Sequence, residues 1–355
     1  MIFFSVGIPG RFSHWCDSIV AGLAGSDVVL ERYPEPSDMI GYAPLGSPLD
    51  KAALTLIRTD LTHLVMGVRQ PNERLRAALA ETNAPFIVTL DHPRRAAAEL
   101  LADTKAEPRA VTRAIASSCG SVVRFPQLPG ALLLHADQVR GDKPGAVAAI
   151  ARHLGFAVDN AAIENLPLSG GWEGGLTIED EAAIPPSAEK MMGGAFAGYD
   201  ECFAGRGLGQ LVWNRDLFIV SDPDKGPMEA LDVSGGARIL IYGPYIRLAP
   251  GPWVAQVYLG FSADAAGQTF LIDVFAAGQL AATSLRPTRG GALTAELHFF
   301  LTEWIDQGVE IRVTVPHDGA KGRLAFGHVV LTPANRRHPD AGTEWEEEVR
   351  AVLGC

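Results

Sequence analysis

Residues 2–23 read IFFSVGIPGRFSHWCDSIVAGL. The run 2–6 is apolar enough for a buried strand, GIPGRFS (7–13) is a turn, and residues 17–23 continue a helix. A strand that turns sharply into a helix gathers unpaired backbone N–H groups and the positive end of the helix dipole at one spot. Such a spot attracts anions. Gly7 and Gly10 give the turn its curvature. Ser13 is placed to cap the helix, and Arg11 and His14 supply side-chain donors. The same letters also describe an ordinary strand-to-helix turn closed by a serine.

Working outward, further short apolar runs lie at 61–68 (LTHLVMGV), 85–90 (PFIVTL) and 131–135 (ALLLH). Amphipathic segments follow them at 72–81, 94–101 and 145–154, the last stopped by Gly155. Apolar strands alternating with helices predict a parallel sheet covered on both faces. Ligands of such sheets bind beyond the carboxyl ends of the strands, where GIPGRFS lies. Residues 165–210 are glycine-rich and read as irregular, either a mobile lid or a packed subdomain. From about 215 the pattern changes to period two. In WVAQVYLGF (253–261) and LTAELHFFLT (293–302) alternate residues are apolar, and FLIDVF, VEIRVTV and RLAFGHVVL follow between turn residues. This predicts an antiparallel sandwich. The expected division is an α/β domain over 1–212, a β-sandwich over 213–335, and a tail over 336–355 that ends in a short acidic helix.

The 355 residues are 47% apolar and 20% charged, as in a globular protein, with a net charge of −11. That charge argues against nucleic acid and against anionic lipid. No run reaches the roughly 20 apolar residues of a membrane span, and residues 2–6 are not a leader, since Gly7 and Pro9 break the run. Cys16, Cys119, Cys202 and Cys355 are widely spaced and read as reduced thiols, which predicts a cytoplasmic location. No histidine pair has metal-ligand spacing. His63 reads as a core residue, Ser117 and Ser118 lack a nucleophile-elbow context, and Glu179–Asp180–Glu181 reads as a solvated helix face.

The segment SVGIPGRFSHW resembles the 5′-phosphosulfate loop of sulfotransferases, with Gly7, Pro9, Ser13 and Trp15 in register. The family's basic residue after the proline is Gly10 here, with Arg11 one place late. Its glycine is Phe12, and its second hydroxyl residue is His14. PFIVTLDHPRRAAAELL is similar to the family's 3′-phosphate segment: Pro93 and Arg94 match, while Asp91 and Glu99 replace the phosphate-binding arginine and serine. Asp137 matches an aspartate of a later segment. Arg69, in VRQPNERL, stands where many members carry a catalytic histidine. The resemblance implies a P-loop-type sheet and the donor 3′-phosphoadenosine 5′-phosphosulfate. It places Gly7, Pro9, Gly10, Arg11, Ser13, Trp15, Arg94 and Arg95 around that donor, with Arg11, His14 and Arg69 as the catalytic positions. Asp91 and Glu99 would repel the 3′-phosphate of that donor. The loop is therefore expected to accept a small anion but no full nucleotide, with Phe12 either filling the phosphate space or packing on apolar neighbours.

IYGPYIRLAPGPWVAQVYLGF (241–261) resembles the opening of jelly-roll modules appended to bacterial glycan-assembly enzymes. That resemblance implies a carbohydrate partner, with Tyr242, Tyr245 and Tyr258, and also His298 and Phe300, as its aromatic and planar polar contacts. Packing against the rest of the fold is the alternative for each. Three functions follow. One is transfer of a group from a nucleotide donor to a sugar hydroxyl in bacterial polysaccharide assembly. The second is a catalytically inactive glycan-binding or scaffold protein of a polysaccharide synthase complex, and the third a glycosyltransferase.

Overall fold

The computed structural model describes residues 2–25, 29–32, 63–157, 166, 172–334 and 343–354. The chain forms two compact units, Met1–Pro186 and Ser187–Cys355. Residues 61 and 62 of the expected second strand, and most of residues 158–171, lie outside the described residues.

The first unit is built on five parallel strands: β1 (Ile2–Gly7), β2 (Val29–Arg32), β3 (Leu64–Val68), β4 (Phe86–Leu90) and β5 (Ala131–His135). Their order in the sheet is β2-β3-β1-β4-β5. The chain leaves β1 towards β2 on one side and leaves β4 towards β5 on the other. The carboxyl ends of β1 and β4 are therefore the switch point at which such sheets open a crevice. Around the sheet lie α1 (Arg11–Ala24), α2 (Glu73–Thr82), α3 (Pro93–Thr104), α4 (Pro108–Val122), α5 (Ala136–Gly141), α6 (Lys143–Leu154) and α7 (Ile178–Ala183). One face of the sheet presents Phe3, Val65, Ile87 and Leu134 to Trp15, Cys16 and Ile19 of α1 and to Val147 and Ile150 of α6, all buried. Burial of such side chains contributes about 1.5–3 kcal/mol each and fixes α1 on the sheet.

The second unit begins with α8 (Pro186–Phe203), a long helix in the stretch expected to be irregular. Two of its glycines, Gly194 and Gly198, serve close packing. A Cβ on Gly194 would lie 2.7 Å from the Val212 carbonyl oxygen, and one on Gly198 2.7 Å from that of Gln210. α8 thus rests almost directly on the backbone at and just before β6 (Leu211–Asn214). Two antiparallel sheets follow. In the first, β14 (Gly291–Leu301), β11 (Gly251–Phe261), β16 (Arg323–Pro333) and β6 lie in that order, with β8 (Leu231–Asp232) on β16. In the second the order is β13 (Gln279–Leu285), β12 (Phe270–Phe275), β15 (Val309–Val315), β9 (Arg238–Tyr242) and β7 (Ile219–Val220), with β10 (Pro244–Ile246) also on β15. The strict alternation of buried and half-buried residues along β15 is the period-two pattern of its sequence. The last helix, α9 (Thr343–Leu353), lays Trp345, Val349 and Leu353 over Tyr258, Ala325 and Val330.

Candidate functional site

The loop after β1 folds back on β4. A Cβ at Gly7 would lie 1.9 Å from Thr89 Oγ1 and 2.6 Å from the Thr89 carbonyl oxygen, so only glycine fits there. α1 starts at Arg11, two residues before the expected cap. Gly10 is the N-cap, and no side chain caps it. Ser13 is inside the helix and buried; its hydroxyl donates to the Ile8 carbonyl at 2.7 Å and lies 2.6 Å from Thr89 Oγ1. It pins the loop to β4 rather than ending the helix.

The carboxylate of Glu99, reaching over from α3, occupies the start of α1. The Arg11 backbone N–H donates to Glu99 Oε2 at 2.8 Å. A carboxyl group of the chain itself is therefore already seated at this helix end. Only 1% of Glu99 is exposed. Burial lifts its carboxyl to about 7, against the pull of the Arg11 N–H. Asp91, at the end of β4, is likewise buried; desolvation raises it to about 6, and Arg95 opposes the rise.

Two of the candidate cations, Arg11 and Arg95, are held by carboxylates. The Arg11 guanidinium donates from Nε (3.2 Å) and Nη2 (2.7 Å) to Asp103, and from Nη1 (3.0 Å) and Nη2 (2.9 Å) to Asp180. These bonds raise the Arg11 pKa above its ordinary value, with Asp103 the largest cause. Arg95 pairs through Nε with Asp91 and through Nη2 with Asp137, each at 2.8 Å, and donates to the Gly174 carbonyl at 3.3 Å. The hydrogen bond from Arg95 in turn lowers Asp137. Asp180 closes a capping box with Thr177 at the start of α7. It is buried, not part of a solvated face as the acidic run suggested. Burial pushes its carboxyl up, but the Thr177 N–H and Arg11 outweigh this and hold it below its ordinary value.

The remaining expected donor-loop residues take other places. Phe12 turns into the core, with ring centroids 4.7 Å from Trp172 and 6.3 Å from Trp15, so it does not fill the phosphate space. Trp15 is fully buried in the same cluster and has no surface for a donor. Pro9 and Gly10 lie in the turn itself, His14 is exposed on α1, and Arg94 is half-buried at the start of α3. Arg69 has 0% exposure. Its Nη2 pairs with the buried Asp17 carboxylate of α1, and its carbonyl accepts from the Ser118 hydroxyl of α4. With no exposed atom, Arg69 ties β3 to α1 and α4 and cannot reach an acceptor hydroxyl. Gly67 belongs to the same arrangement: a Cβ there would lie 2.4 Å from Asp17 Oδ2.

The pairs that close the site follow a rule of four. Asp91, Arg95, Glu99 and Asp103 recur every fourth residue and so line one side of α3 and its lead-in. That spacing is present in the sequence and is the signal that identifies them. Thr177-x-x-Asp180 is the corresponding signal for α7.

In the second unit, Tyr258 is buried under α9, stacked on His328 at 4.4 Å, and offers no face to a sugar. Tyr242 and Tyr245 are half-buried and meet edge to face at 6.3 Å. Tyr245 holds φ at +65°, a left-handed backbone that costs an ordinary residue about 1–2 kcal/mol. Its hydroxyl donates to Glu310 Oε1 at 3.3 Å. On β14, His298 is exposed beside Glu296 at 2.9 Å, and Phe300 is 59% exposed, followed by Trp304 at 68%.

Among solved structures the chain is similar to a mouse sulfotransferase complexed with PAP, with a TM-score of 0.37 and 12% identity over 57% of this chain and 82% of that one. A sulfotransferase from Alicyclobacillus acidocaldarius matches with a TM-score of 0.37 and 15% identity over 57% of this chain and 94% of that one. Retinol dehydratase in a complex with retinol and PAP matches with a TM-score of 0.33 and 12% identity, over 46% of this chain and 63% of that one. No family model and no curated protein matches the chain.

Proposed function

We propose that this chain is a glycan-binding protein of polysaccharide assembly. Its α/β unit keeps a sulfotransferase-like frame but does not draw on 3′-phosphoadenosine 5′-phosphosulfate. The observation that carries the second half is the Glu99 carboxylate at 2.8 Å from the Arg11 N–H. A phosphate entering the start of α1 would have to displace a buried carboxylate already bonded there. It would also have to draw Arg11 away from Asp103 and Asp180. Sulfuryl transfer needs free cations aimed at the moving group, and Arg11 and Arg95 spend theirs on the chain's own acids. The glycan half is supported by the half-buried Tyr242 and Tyr245 and by the exposed Phe300 and Trp304 of the second unit.

Calorimetry with 3′-phosphoadenosine 5′-phosphate tests the first unit. The expected Kd for the native chain is weaker than about 1 mM, and Asp91→Arg with Glu99→Ser tightens it. Micromolar binding to the native chain would overturn the reading and restore group transfer from a nucleotide donor.

A further inference from the structure

We infer that the outer face of the second sheet, around Tyr245, is a binding site for a neutral hexopyranose ring of a glycan. The inference rests on the glycan-binding reading above and gives it a place.

The starting point is Tyr245 itself. It is half-buried, unlike Pro244 and Ile246 on either side of it, which are buried. Its backbone is nevertheless held at φ +65°, where a tyrosine is a true outlier. The fold makes room for this conformation. A Cβ on Gly308 would lie 2.3 Å from the Tyr245 carbonyl oxygen and 2.8 Å from its Cα, so the residue opposite must be glycine. Two sequence choices that disfavour ordinary packing thus converge on keeping one aromatic ring at the surface.

The neighbours of that ring form a continuous row. In β12 and β15, Asp273 stands opposite Arg312 and Phe275 opposite Glu310, and Glu310 is in turn opposite Pro244 of β10. Their strand neighbours Ile272, Val274, Ile311 and Val313 are buried in the sandwich, so all four lie on the other face of the sheet, where Phe275, Glu310 and Arg312 are half-buried and Asp273 is buried. Arg312 donates from Nε to Asp273 Oδ1 at 3.0 Å and from Nη2 to the other carboxylate oxygen, and lies 4.2 Å above the Phe275 ring. Glu310 holds the Tyr245 hydroxyl. The planar groups are therefore fixed before any ligand arrives, which limits the ordering cost of binding.

The chemistry selects the ligand. An aromatic face suits the C–H face of a sugar ring, and rigid planar carboxylate and guanidinium groups suit pairs of adjacent hydroxyls. Asp273 neutralises Arg312, so the Glu310 carboxylate sets the sign of this face, and a sulfated or uronic ring is repelled and a neutral one accepted.

The test uses the full chain and saturation-transfer NMR with maltohexaose, cellohexaose, chitohexaose and hexagalacturonic acid as probes. At least one neutral hexasaccharide is expected to bind, and the uronic one is not. Tyr245→Asn keeps a residue that tolerates the left-handed backbone; it is expected to weaken binding tenfold or more while the melting temperature stays level or rises. Three results would overturn the site. One is binding untouched by Tyr245→Asn and Tyr242→Ala but lost in His298→Ala with Phe300→Ala, which leaves the glycan reading standing. Another is a fall of several degrees in the melting temperature of Tyr245→Asn, which makes the ring structural. The third is binding of none of the probes, which removes the glycan reading as well.

Discussion

The β1–α1 loop of the first unit and the Tyr245 turn of the second treat their ligand-like side chains in opposite ways. In the loop, Phe12 packs on Trp15 and Trp172, Glu99 sits on the helix start, and Arg11 is clamped by Asp103 and Asp180. In the turn, an aromatic ring is kept partly in water at the expense of backbone strain, and its polar neighbours are fixed around it. In the loop the paired groups fill the helix start itself, where a ligand would have to enter. The strained backbone at Tyr245 supports a ring that is not fully buried, which is why the glycan site is proposed there and not in the loop.

The largest effect should come from breaking the closed unit at its deepest pair. Asp17→Ala leaves the Arg69 guanidinium buried without its carboxylate, at a cost of about 3–5 kcal/mol in urea unfolding. Asp17→Leu combined with Arg69→Met should recover most of that loss, because a well-packed apolar pair replaces a desolvated ionic one. If the double variant is as unstable as the single, the closed unit depends on the charges themselves.

A steric break comes next. Gly7→Ala sets a methyl against Thr89 and should destabilise by about 1–3 kcal/mol, seen as a lower urea midpoint at unchanged slope.

A pH series sharpens the comparison at Glu99. Its folded carboxyl is raised from 4.5 to about 7, so the folded chain binds the proton more tightly than the unfolded one. Stability from this group is therefore greatest below pH 4.5 and is lost as pH climbs through 7. Glu99→Gln should melt higher than the native chain at pH 8, by the equivalent of about 1–3 kcal/mol, and the gap should close by pH 4.5. A constant gap across the series would mean that Glu99 is ionised throughout, as a stronger anchor of α1.

The smallest effect belongs to the rim. Asp103 has a side chain 51% exposed, and Asp103→Ala should cost less than about 1 kcal/mol, because water already screens that ion pair. A larger loss would make Asp103 part of the closure and not its edge.

The sheet of the first unit was legible because buried parallel strands are plain apolar runs: residues 131–135 are strand as expected, and 85–90 differs from β4 by one residue. α4 was not, since PRAVTRAIASSCGSV mixes small and polar residues whose burial is set by the sheet and not by a clean stripe. α8 was misread because glycines that allow helix–strand contact look the same in sequence as glycines of a loop. The loop at 7–13 could be located, but the partners that close it come from residues 99, 103 and 180, as far as 169 positions away. Spacing along the chain identifies which acids share a helix side; it does not say which helix end they meet.

Gly67, Asp17 and Arg69 carry a consequence for descent. Any side chain at Gly67 would run into Asp17, and loss of either charge breaks a buried ion pair. A lineage therefore cannot drift at these three positions one at a time without passing through a poorly folding ancestor. They should be inherited as a block, and chains that have lost the arginine should have replaced the aspartate too, by an apolar residue of similar volume.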